Sequence, residues 1–193
     1  MGGVLLLAIL AIVGGSRLIR GTSGAVAGVA QALAPFPGFG SVTPARAQIG
    51  ATGDLQSAYG AIAADALVDW RAQFARAGQP WQDPPFAVDV PPFAGPARRA
   101  HIVWFVGERL GDWAQQLMGI PGLLEIAHRK GQISEAAIST QTDDLVGCLV
   151  GAWGRSVISG SELEAVAPPG QVTWIARGAA SGVPSACAAA VTG

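Results

Sequence analysis

Glu108 and Asp112 stand four residues apart, a spacing that places both carboxylates on one face of a helix. Histidines at that spacing are a route to a shared metal ion, and here the same face offers oxygen donors instead. Arg109 lies between them. Its guanidinium stays protonated at any working pH, so it can hold an anion or a carbonyl but cannot accept a proton from a bound water. His101 falls seven residues before Glu108, two turns away and about 10 Å along a helix axis, which suits a partly buried structural histidine better than a fellow ligand. His128 is expected in a loop. Cys148 and Cys187 have no C-x-x-C spacing and leave two alternatives, one bridge in an oxidising compartment or two buried thiols. The tryptophans at 70, 81, 104, 113, 153 and 174 read as core and core-edge aromatics. No G-x-G-x-x-G, P-loop or G-x-S-x-G motif occurs, so neither a phosphate cradle nor a nucleophile elbow is indicated.

The elements that must hold these residues are helical. Asp54 is a good N-cap, and Leu55, Tyr59, Ile62, Ala66, Trp70 and Phe74 recur at three- and four-residue spacing, predicting an amphipathic helix that ends near Gly78. Pro80 to Pro85 forces a loop, and residues 86–90 are short and β-like. A second helix is expected from Pro96 to just before Pro121, followed by a short helical patch within 122–131. A third long helix is expected over about 132–155, with short helices at 161–166 and 171–177. The predicted class is mainly α, with minimal sheet.

Upstream, residues 2–19 carry no charge before Arg17, and the strongly apolar run is Val4 to Val13. With its flanks this run approaches the ~20 residues needed to span a bilayer. A cleaved signal peptide would want a basic n-region, which is missing, and the small-x-small stretch Ala45–Arg46–Ala47 lies far from the apolar run. The expected organisation is therefore a single transmembrane anchor over 1–20, a Gly/Ala/Pro-rich tether over 21–53 and a domain over 54–193. Within the tether, the weakly apolar stretch 26–33 has a second reading as a membrane-surface helix. Arg17 and Arg20 follow the span and nothing basic precedes it, which by charge alone would place the domain in the cytoplasm.

Composition narrows the function classes. Half of the 193 residues are hydrophobic, 13% are charged and the net charge is −1, too apolar for a disordered chain. The twelve basic residues are scattered, and no basic run exceeds the pairs Arg98–Arg99 and Arg129–Lys130. A nucleic-acid partner, which needs a basic patch to neutralise phosphates, is not expected.

Four separated stretches carry a resemblance: LVDWRAQFARAGQPWQDPPFAVDV (67–90), GERLGDWAQQLMGI (107–120), STQTDDLVGCLVGAWGRSV (139–157) and RGAASGVPSACAA (177–189). Together, in this order, they resemble the predicted neutral zinc metallopeptidases, a bacterial family with an N-terminal membrane helix, a Gly-rich tether and a zincin-like domain. The second stretch is similar to that family's metal helix, H-E-V-G-H-H-V-Q with a Leu-Gly-Ile end. The third is similar to its R-L-E-L-Q-A-D-C-x-A-G-x-W helix, and the fourth to its G-x-x-S-G-D-P-A-A-C terminus. On this alignment Glu108 stands where the family has its first zinc histidine and Arg109 where it has the catalytic glutamate. Asp112 stands at the second histidine and Asp143 at the third ligand. A catalytic zinc site wants about three ligands, commonly two imidazoles and a carboxylate, and a base to take the water's proton. Both requirements are lost here.

Three readings of Glu108, Arg109, Asp112 and Asp143 stay open: a solvated face with local ion pairs, an arginine that replaces the metal's charge and ties helices together, or a calcium or magnesium site built from the three carboxylates. The resemblance also implies a Cys148–Cys187 disulfide, and with it a domain outside the cytoplasm. The expectation is a degenerate, inactive member without cofactor, a binding or regulatory protein held by one span in a bacterial inner membrane. Its expected partners are that membrane and other membrane proteins. The alternatives are a structural subunit of a membrane complex and, third, a hydrolase with a non-standard site.

Overall fold

The computed structural model describes residue 24 and residues 27–85, 90–93 and 95–191. These form an all-helical body, and no strand occurs among the described residues. Residues 27–33 are helical (α1), followed by a 3-10 turn at Arg46–Gln48, α2 (Leu55–Arg76), α3 (Arg98–Leu117), α4 (Ile120–Arg129), α5 (Glu135–Gly154), α6 (Gly160–Glu164), α7 (Val172–Ser181) and a 3-10 segment at Pro184–Val191.

The boundaries follow from local chemistry. The Asp54 side chain accepts from the Ser57 amide at 3.0 Å and from its hydroxyl at 2.7 Å, opening α2. α3 begins after Gly95 and Pro96 rather than at Pro96. Gly119, at φ 72, both ends the α3 turn and caps α4, whose first turn accommodates Pro121. Ser134 caps α5 through the Ala137 amide at 3.2 Å, so that helix starts three residues later than expected. Ser159 and Glu162 form a reciprocal capping box on α6.

α5 is the centre. It is buried almost continuously from Leu145 to Gly154 and packs against α3, α7 and the terminal 3-10 segment, while α2 covers the other side of α3. The α5–α7 crossing is a backbone contact. A Cβ at Gly178 would lie 1.9 Å from the Cys148 carbonyl oxygen, and one at Gly151 would lie 2.1 Å from that of Ile175.

Two expectations are corrected. The stretch read as a tether sends side chains into the core: Val29, Leu33 and Phe36 are fully buried, and Phe36 and Phe39 meet Phe74 and Trp70 edge-on at 4.9 and 5.0 Å. Apolar side chains at i, i+4 and i+7 suffice to seat α1 on the core, so position 54 does not separate a packed domain from an unpacked leader. His128 lies in the last turn of α4 rather than in a loop, its Nδ1 3.1 Å from the Ile133 carbonyl oxygen. Of the β-like stretch, residues 86–89 lie outside the described residues and Val90 is not in a strand. The expected span over 1–20 also lies outside them. Among the described residues no helix is long and apolar enough to cross a membrane.

Candidate functional site

Two glycines on α3 let α5 come close. A Cβ at Gly107 would meet the Trp153 ring and Val150 at 3.1 Å, and one at Gly111 would meet Val146 at 3.5 Å. Beside this contact opens a cavity of about 370 Å³, lined by Glu108, Arg109 and Asp112 of α3, Asp143 and Val146 of α5, and Gln171 just before α7. The four positions aligned on the resemblance therefore share one cavity.

Glu108 is half-buried. Burial is the largest influence on its carboxyl and pushes the pKa up; the Arg109 charge opposes this, and the Asp143 and Asp112 charges add to it. Asp112 is exposed, with its oxygens accepting from the amides of Gln115 at 3.1 Å and Gln116 at 2.9 Å. The Arg109 guanidinium lies over the Phe105 ring, 4.6 Å from its centroid, and makes no ion pair among the described residues. It stacks on its own helix instead of tying α3 to α5. On its far side a second cavity of about 210 Å³ runs to Pro84, Pro85 and Trp113. Trp113 Nε1 donates to the Gln82 carbonyl oxygen at 2.6 Å, which fixes the loop that forms this wall.

The residues present do not fit a catalytic zinc ion. No imidazole lines the cavity, and both oxygens of Asp112 are engaged by glutamine amides. Among the described residues no group of three His, Cys, Asp or Glu side chains is placed to hold a metal. His101 stacks on Phe93, centroids 5.3 Å apart, and does not line the cavity. Gln171 was not anticipated. Its Oε1 is buried without a hydrogen-bond partner, and nothing in its neighbourhood in the sequence marks it.

Behind the cavity, Cys148 of α5 and Cys187 of the terminal 3-10 segment form a disulfide, with Cα atoms 5.6 Å apart. The bridge fixes the C-terminal segment against the helix that supplies Asp143. Comparison of the chain with family models, with curated proteins and with solved structures found no match.

Proposed function

We propose that the protein is a catalytically inactive relative of the membrane-anchored bacterial zinc metallopeptidases, acting as a binding or regulatory protein at the inner membrane with its domain on the extracytoplasmic side. One observation carries this reading. The positions aligned with three zinc ligands and a general base line a single cavity, and they hold three carboxylates and a guanidinium. No imidazole lines the cavity, and a guanidinium stands at the position aligned with the general base, so the zinc-peptidase arrangement for cutting is absent from this lining. With the unpartnered Gln171 oxygen, the lining holds three carboxylates and a free amide oxygen against one cation, Arg109. Such a lining favours a partner segment that presents a basic side chain. The disulfide is in keeping with an oxidising compartment.

Metal analysis and casein digestion of the purified protein test the inactive half of the proposal. The expected result is no stoichiometric zinc and no chelator-sensitive hydrolysis; both present together would overturn it. The binding half is tested by isolation in mild detergent. Any partner retained should be lost from the E108Q/D112N/D143N variant, and a partner indifferent to all three changes would remove the cavity from the function.

A further inference from the structure

α4 carries a surface that the cavity does not use. Its inner face is closed by Ile120, Leu124 and Ala127, which are buried, whereas Ile126 on the outer side is 42% exposed. Leu123, Ile126 and Lys130 recur at three- and four-residue spacing and line an apolar groove of about 190 Å³. Its other wall is Gly24 and Gly28, and a Cβ on Gly28 would touch a Leu123 methyl at 3.6 Å. The chain therefore enters the body against α4.

The groove's position is constrained by chain length. The apolar run Val4 to Val13 and its flanks end near residue 20, and four residues reach at most about 14 Å. If that run sits in a bilayer, the groove lies within about 14 Å of the end of the span, a reach that includes the headgroup region. The charges agree with this placement. Arg17 and Arg20 follow the run, Arg129 is exposed at the end of α4 and Lys130, the only lysine of the chain, borders the groove. A lysine there can lay its aliphatic stem along apolar surface and keep its ammonium among lipid phosphates. Glu125 tempers this, since it lies 3.9 Å from Arg129.

We infer that this groove is a lipid-contact surface, in which Ile126 and Leu123 enter the boundary between headgroups and acyl chains while Lys130 remains at the headgroups. The inference rests on the membrane anchorage in the proposed function and adds a second, non-spanning contact that sets the domain's orientation on the bilayer. The test uses the full chain reconstituted in vesicles of mixed phosphatidylcholine and phosphatidylglycerol, spin-labelled at I126C, at K130C or, as a control on α2, at the exposed Val68 (V68C). Collision rates with oxygen and with a water-soluble nickel chelate are compared. The oxygen-to-nickel ratio is expected to be highest at 126, intermediate at 130 and lowest at 68. A nickel-accessible label at 126 on protein that floats with the vesicles overturns the inference and leaves the anchorage standing. A label at 126 shielded from both reagents overturns it in favour of cover by protein, either residues 4–13 of this chain or a second copy. Failure to float overturns the anchorage and the inference together.

Discussion

The C-terminal corner and the stretch over 38–53 are held to the central helices by opposite means. At the C-terminal corner α7 crosses α5 at backbone contact through Gly151 and Gly178, and the Cys148–Cys187 bridge locks the terminal 3-10 segment beside that crossing. The stretch from residue 38 to 53 has little regular structure and is tied down by polar contacts of long side chains, some to its backbone and some to its side chains. Gln73 exchanges hydrogen bonds with both the amide and the carbonyl of Gly38. Arg99 donates to the Ile49 carbonyl at 3.1 Å and to that of Val157 at 2.7 Å, and Arg155 reaches Ser41 at 2.8 Å. Arg46 pairs with Asp65 and Asp69 on α2. Burial is the largest influence on Asp69 and raises its carboxyl pKa, against the opposing donation and charge of Arg46. Steric fit has no graded failure, whereas a set of separate polar ties can lose one member and keep the rest.

The steepest break in that comparison is Gly178→Ala. The added methyl meets the Cys148 carbonyl oxygen at 1.9 Å and the Ala152 amide nitrogen at 2.7 Å, both backbone atoms of α5 that no rotamer change can move. A loss of more than about 4 kcal/mol is expected in urea unfolding, beyond ordinary overpacking. A loss below about 1 kcal/mol would show that the two helices can separate. Next comes C148A/C187A. The bridged residues are 39 apart in sequence, and in the chain-entropy view opening such a loop costs about 4 kcal/mol. Both changes act on one corner, so their combination should fall short of the sum.

In the other region the expected effect is smaller and local. Gln73 is almost fully buried, and Gln73→Ala leaves the Gly38 amide and carbonyl without their partner, for a loss of about 2 kcal/mol. Amide exchange should quicken over residues 38–50 and stay unchanged in α5. Equal quickening in both places would mean that residues 38–50 and the core open as one unit.

This asymmetry also decided what could be read from the sequence. α2 was legible because a capping aspartate, a 3.6-residue apolar period and a following glycine at φ 67 all mark the same helix. The packing of residues 27–53 was not legible. Val29, Leu33 and Phe36 do keep helical spacing, but the pattern is brief, interrupted by Pro35 and set in Gly/Ala/Pro-rich surroundings. The arginines that bind this stretch come from α3 and from the end of α5, far away in sequence. Gly151 and Gly178 were passed over because a lone glycine in a helix signals only a propensity cost until its neighbour is known. At the candidate site, the shared face of Glu108 and Asp112 followed from helix geometry. The approach of Asp143 depends on the register of α5 against α3, which no local pattern encodes, and it was reached only through the resemblance.

Glu108 provides the finest comparison, because its nearest cation does not do for it what Arg46 does for Asp69. Arg46 donates a hydrogen bond to Asp69, whereas Arg109 stacks over Phe105 and acts on Glu108 only through its charge. With its pKa raised in the folded state, Glu108 binds its proton more tightly when folded than when unfolded. Stability should therefore fall as pH rises from the ordinary value of 4.5 through the raised one, and that loss is complete above it. Glu108→Gln keeps the side chain's shape and removes the charge, so the variant should melt higher than the parent at pH 7. The gain should vanish below pH 4.5, where both side chains are neutral in either state. It should also be the smallest of the effects described, since the group is only half-buried and solvent screens it. A variant that melts lower at pH 7 would mean that the ionised carboxylate stabilises the fold, and the cavity would then be a structural polar cluster, not a receptive surface left with uncompensated charge.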